Sequence, residues 1–159
     1  MKNTVELVGI ENVLKNINKE FQAMHLRVFS GLIVSAIIVR RSMEETEPLI
    51  PIDLGNLRAS WFTVTRLETP AASMAFTGDN AAKMAIDHAI SITDAKQDAD
   101  QDSDPVIILG FSANYALWVH EMVDAIFQRP GAGAKFLEAA LKRNKNAILR
   151  AIADSAKIQ

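Results

Sequence analysis

The chain contains no cysteine, which excludes disulfides, thiolate zinc sites and a cysteine nucleophile together. Its three histidines, His25, His88 and His120, are scattered, and no two have the i, i+4 spacing of a helical zinc pair, so no metal site and no cofactor are expected. A large charge imbalance is missing too. A net charge of -2 argues against a protein whose main affinity is for nucleic-acid phosphates, while leaving room for a local basic face. The most apolar window, residues 32–39, is closed by Arg40 and Arg41 and falls far short of the ~20 residues that a spanning helix needs, so no membrane is expected. Residues 1–6 place no apolar run behind Lys2, which predicts no secretory signal. No internal repeat and no linker divides the sequence. With 49% apolar and 23% charged residues, it reads as one soluble domain over 1–159, cytosolic when made.

What the sequence does have is helical periodicity. Over residues 11–47, Val13, Leu14, Ile17, Phe21, Met24 and Val28 recur at steps of one, three or four and make one apolar stripe. Asn12, Lys15, Asn16, Asn18, Lys19, Glu20 and Gln22 fill the other face. Such a helix is roughly 50 Å long, more than a domain of this size covers by itself. Over residues 29–39 the apolar residues go nearly all the way round, and a helix of that kind is buried all round. Either it forms this domain's core, or Phe29, Leu32, Ile33 and Ile37 pack on a neighbouring subunit.

Pro48 and Pro51 break the helix. Asp53 and Gly55 then suit a turn with Gly55 at positive φ. Residues 61–66 and 106–111 read as strands, and 74–77 as a short third one after a turn at 69–73. Residues 80–99 return to helical spacing, with Ala81, Met84, Ala85, His88, Ile92 and Ala95 on one side. An acidic loop follows at 98–105. Residues 134–156 close the chain as a helix with Phe136, Leu137, Ala140, Leu141, Ile148, Ala151 and Ile152 on its apolar face.

Four stretches invite a chemical reading. Tyr115, His120 and Glu121 stand close enough in sequence for acid/base work in a small hydrolase. On a helix, however, Tyr115 and His120 share no face, and no Ser or Asp completes a triad. The competing reading makes Tyr115, Trp118 and Val119 packing residues and His120-Glu121 a polar edge that meets a neighbouring subunit. Asp98, Asp100, Asp102 and Asp104 imitate the start of a calcium loop, but the positions that need Gly and Glu hold Ser103 and Leu109, or Pro105 and Phe111. Gly131, Gly133 and Lys135 imitate a phosphate loop, but the glycine spacing is too short and Phe136 follows the lysine. The last helix carries Lys135, Lys142, Arg143, Lys145, Arg150 and Lys157 against Glu138 and Asp154, either a solvated face or one that meets DNA as an accessory factor would.

Two stretches taken together resemble a known family. Pro51-Ile52-Asp53-Leu54-Gly55-Asn56-Leu57-Arg58-Ala59-Ser60 is similar to the P-x-D-T-G-x-L-R-x-S signature of phage tail-completion and neck proteins, the small head–tail joining proteins often described as minor tail or minor capsid proteins. Tyr115-Ala116, then Val119-His120-Glu121, and later Phe136-Leu137 match a second pattern of that family. The pieces span roughly residues 10–150 in the family's order. Leu54 replaces the usual Thr, Met122-Val123 replaces a Gly-Thr, and residues 80–104 look like an insertion.

The resemblance implies an α+β fold: a long N-terminal helix and a C-terminal helix packed on a small, mainly antiparallel sheet, with a helical and acidic-loop insertion. It also implies a structural virion protein and no enzyme. Such a protein forms a homo-oligomeric ring, a hexamer or alternatively a dodecamer, in the neck of a particle assembled in the host cytoplasm. Its expected partners are the tail tube or terminator protein and the head–tail connector or stopper proteins, with non-specific contact to passing DNA. On that reading Phe29, Leu32, Ile33, Ile37, His120 and Glu121 are expected at subunit contacts, and Lys142, Arg143, Lys145 and Arg150 on the face towards the DNA lumen.

Overall fold

Helix α1, Ile10–Glu45, is the longest element and lies within two residues of the boundaries read from the apolar periodicity. It belongs to a computed structural model that describes residues 9–67 and 75–157. At 1.5 Å per residue it runs about 54 Å. It stops where the sequence turns to Pro48 and Pro51, and the carbonyls just past its end are met by a side chain from far along the chain. Arg143 donates from Nη1 to Glu47 O at 2.6 Å, from Nη2 to Thr46 O at 3.0 Å, and from Nε to Ser42 Oγ at 2.8 Å. A cation on those carbonyls complements the negative end of the helix dipole.

Gly55, at φ 83°, then opens the single-turn helix α2, Asn56–Ala59, as the turn residues predict. Strand β1, Trp61–Thr65, follows directly. Helix α3, Ala81–Gln101, separates it from strand β2, Ile107–Phe111. The two strands pair antiparallel, from Trp61 opposite Phe111 to Thr65 opposite Ile107. Helix α4, Ala116–Glu121, and helix α5, Phe136–Ala156, complete the chain. The fold is α+β, with the two long terminal helices and a two-stranded antiparallel sheet.

The sheet lies between helices. On one side Trp61 and Thr63 border Ile33, Ala36 and Ile37 of α1. On the other, Val64 is buried against Ala95 and Ala99 of α3 with Phe62 beside them, the period-two alternation of a strand covered on both faces. The main core gathers Val39 and Met43 from α1, Ile50, Leu57, Ala113, and Phe136 and Ala140 from α5.

Helix α5 runs antiparallel to α1. Phe136 packs by Met43, Ser35 Oγ reaches Ile148 O at 3.4 Å, and Gly31 meets Ile152. The Gly31 contact is close: a Cβ there would stand 2.7 Å from Ile152 Cα and 3.0 Å from Ala151 O. Helix α5 ends four residues beyond Ile152. Residues 10–22 of α1 therefore run on past it, and every one is exposed.

Three expectations need correction. The segment 29–39 is not buried all round: Phe29, Gly31, Ser35, Ala36 and Val39 face inward, while Val34 and Ile37 are 45% and 60% exposed. Residues 75–77 form no strand, because Asn56 takes the backbone of Thr77 instead, its Nδ2 donating to Thr77 O at 2.9 Å and its Oδ1 accepting from Thr77 N at 2.8 Å. Met74 and the expected turn at 69–73 lie outside the described residues. The acidic segment is also shorter as a loop than expected. Helix α3 continues to Gln101 because Ala95 and Ala99 pack on Val64 and Lys96 ties the helix to Thr65 O, Arg66 O and Asp100.

Candidate functional site

The Tyr115, His120 and Glu121 group is divided by the fold. Tyr115, at the start of α4, turns to a groove of about 540 Å³ bordered by Asp53, Leu54, Met84, Val119 and Phe127. Burial, and then the Asp53 charge, push its phenol above the ordinary range, so less of it ionises there than in water.

His120 turns the other way, edge-on to Phe136 with ring centroids 5.0 Å apart. Its backbone oxygen accepts Lys135 N–H at 2.7 Å and its Nε2 accepts Glu138 N–H at 3.4 Å. That leaves Nδ1 to donate to Glu121 Oε1 at 2.9 Å. Glu121 in turn pairs with Lys135, and Lys135 and then His120 hold its carboxyl below the usual range. These residues fasten α4 to the start of α5, filling orphan donors of its first turn. No hydrogen bond joins them to Tyr115 among the described residues, and the arrangement provides no nucleophile with a base. His120 and Glu121, expected at a subunit contact, are engaged within the chain.

His88 is a neutral core histidine. It is 6% exposed, its Nδ1 lies 2.7 Å from Ser112 Oγ, and Phe62 and Phe76 stand edge-on to it. Burial pushes its pKa down. Among the described residues no three His, Asp or Glu gather as metal ligands.

The Pro51–Ser60 signature has local structural roles. Pro51 and Leu57 are buried, Gly55 supplies the left-handed turn, and Asn56 holds Thr77. Ser60 is fully buried. Its Oγ donates to Leu57 O at 2.8 Å, and its carbonyl accepts Ser112 N–H at 2.9 Å. Arg58 faces Glu44 of α1, with Nε 2.8 Å from Oε1.

Glu44 is the centre of a group that the sequence reading missed. Arg40 and Arg129 also approach it, at 3.1 and 3.2 Å. Arg129 is further held by the carbonyls of Ile50 and Glu44, both at 2.9 Å. Burial lowers the pKa of Arg40, Glu44 raises it, and Arg58 lowers it again. Arg40 stands i, i+4 from Glu44 on α1, but Arg58 and Arg129 come from α2 and the loop after α4, so no local pattern announces the group.

The surfaces are more telling than the polar groups. Ile10, Val13, Leu14, Ile17 and Phe21 on the projecting half of α1 are 44–58% exposed along one stripe. At the other end of the molecule, where α4 meets the start of α5, Leu117, Trp118, Val123 and Ile126 are 68–99% exposed. Trp118 is thus a surface residue, not a packing anchor. Val119 packs on the core and turns its outward neighbours to solvent.

Of the expected interface residues on α1, Ile37 is exposed and Leu32 and Ile33 half-buried. Phe29, 2% exposed, faces inward beneath Arg66 and cannot meet a neighbour. Of the expected lumen residues, Lys142, Lys145 and Arg150 lie exposed on α5, Lys142 paired with Glu138. The guanidinium of Arg143 is held on the end of α1 instead. Comparisons with known protein families, curated proteins and solved structures find no match to this chain.

Proposed function

We propose that this chain is a structural virion protein that forms a ring at the head–tail interface of a phage, completes the tail and joins it to the capsid connector. The observation that carries the reading is the pair of unlike apolar surfaces at opposite ends of one subunit, the α1 stripe and the α4 surface. Exposed apolar patches of this extent mark contacts, and a closed ring built head to tail needs two different surfaces on each copy. The similarity of the Pro51–Ser60 and Tyr115–Leu137 segments to neck proteins points the same way. Lys142, Lys145 and Arg150 on the outer face of α5 supply the charge that would meet passing DNA without reading its sequence.

By length and composition α1 also passes for a membrane-spanning helix. The apolar stretch responsible, towards residue 39, packs one side on α5 and the sheet through Phe29, Gly31, Ser35, Ala36 and Val39. The stripe at residues 10–21 is backed by Asn12, Lys15, Asn16 and Lys19, a face that suits a protein partner better than lipid.

Native mass spectrometry and negative-stain imaging of the chain, alone and mixed with tail-tube terminator and connector proteins, test the proposal. A closed ring, hexameric or dodecameric, is the expected species in the mixed sample. Monomer alone in every sample would overturn it.

A further inference from the structure

Beside the Glu44 group, α1 and β1 form a cleft of about 240 Å³ lined by Ile33, Ala36, Ile37, Arg40, Trp61 and Thr63. Its floor is apolar and its end is cationic. Arg40, Arg58 and Arg129 meet the single carboxylate of Glu44, so two positive charges remain uncompensated by it. Arg129 is saturated by carbonyls, but Arg40 and Arg58 are not. Arg40 Nη1 is buried without a hydrogen-bond partner, and the terminal nitrogens of Arg58 donate to nothing among the described residues while its side chain is 40% exposed. Arg40 is also stacked over Trp61, 5.7 Å from the ring centroid. Excess guanidinium beside an exposed Ile37 and a tryptophan fits a carboxylate-bearing protein surface. A phosphate backbone would use the charge and leave the apolar floor bare.

The chain carries such a surface on the opposite side of its own sheet. At the end of α3 and just beyond it, Asp94, Asp98, Asp102 and Asp104 are exposed and pair with no cation among the described residues, and only Asp100 has one, Lys96 at 3.0 Å. This end of α3 is fixed to the far end of β1, where Lys96 holds Thr65 O and Arg66 donates to Asp102 O at 3.3 Å. The cleft lies at the Trp61 end, on the α1 side. One copy therefore cannot bring the two together, and two copies can.

We infer that the cleft between α1 and β1, with Arg40 and Trp61 in its lining and Arg58 beside it at Glu44, receives the acidic end of α3, residues 94–104, from a second copy of this chain. The two surfaces are complementary in charge and stand on opposite sides of the sheet, so the contact is head to tail and each copy keeps one of each kind free. The inference rests on the ring reading and supplies one of its contacts.

Sedimentation velocity at low and high salt, on the wild type, Arg58→Glu, Asp98→Lys and their equimolar mixture, tests it. Terminator and connector proteins are included in a parallel series. The wild type is expected to associate, more weakly as salt rises, and each variant alone to lose roughly tenfold or more in association. The mixture is expected to regain association, because Asp98→Lys keeps an intact cleft for the intact acidic end of Arg58→Glu, and at the other contact the two substituted side chains meet as a reversed charge pair. Asp98 is exposed and unpaired, so Asp98→Lys decides the matter even if Arg58→Glu unfolds.

Variants that assemble like the wild type would overturn this contact and leave the ring standing. A wild type that is monomeric in both series would overturn both. Assembly unchanged in Arg58→Glu, with weakened binding to a short DNA duplex by fluorescence anisotropy, would make the cleft a phosphate site and also overturn the contact.

Discussion

The two halves of α1 carry the same kind of sequence and meet opposite fates. From Gly31 to Met43 the inward residues are covered by α5 and the sheet, and Val39 and Met43 are 1% and 0% exposed. From Ile10 to Phe21 an equally regular apolar stripe is covered by no other element among the described residues. Periodicity does not distinguish the halves, because it reports that one face of a helix avoids water and not what lies against that face. The difference comes from the partner. Helix α5 is 21 residues long against 36 for α1, and its register is set by the Gly31 contact with Ile152 at one end and by Arg143 on the α1 carbonyls at the other. The bare half is the remainder of that alignment.

Matched substitutions break this comparison most sharply. Phe136→Ala, in the covered region and 0% exposed, is expected to destabilise the subunit by about 3–5 kcal/mol in urea unfolding. Phe21→Ala, on the bare half and 53% exposed, is expected to change subunit stability by no more than about 0.5 kcal/mol while weakening assembly. Equal losses of stability would mean that the stripe is covered within the monomer.

Gly31→Ala comes next. Its Cβ would collide with the backbone of α5, and the cost of about 1–3 kcal/mol from overpacking outweighs the gain of about 1 kcal/mol in helix propensity. A stabilised Gly31→Ala protein would show that the helices can separate without loss.

The smallest effect is a control that lies outside α1. The folded pKa of His88 lies below its unfolded value of about 6.5, so its neutral form supports the fold above that pH, and this support is lost as pH falls through the folded pKa. Thermal unfolding is expected to show Tm falling by a few degrees on acidification from neutrality towards pH 5. His88→Gln should remove that dependence.

Much of the fold is legible because its signals are local. The α1 and α5 stripes, the β-branched and aromatic runs of β1 and β2, and the Gly55 turn each state their conformation within a few residues. The surfaces are less so. Trp118 looks like core by type, yet Val119 turns inward instead. Phe29 reads as one apolar residue among many, yet it alone of the four expected α1 contacts is fully covered. The fixing of Arg143 on Thr46 and Glu47, and the meeting of Arg58 and Arg129 with Glu44, join segments that are distant in sequence, and no spacing rule reaches across them. Tyr115, His120 and Glu121, neighbours in sequence without a shared helical face, point to different partners, the groove beside Asp53 and the start of α5.

The Gly31 contact has a consequence for shape. Helix α1 is a rod clamped along its C-terminal half, and about 32 Å of it, from Gly31 to Ile10, extends beyond that contact. A tilt of about 10° where Gly31 meets Ile152 would swing the tip by about 6 Å over that length. The missing side chain at residue 31 therefore sets an angle as well as a distance. In any array of copies that grip one another by this arm, that angle decides how sharply each subunit turns from the last, and so how wide the circle is when it closes.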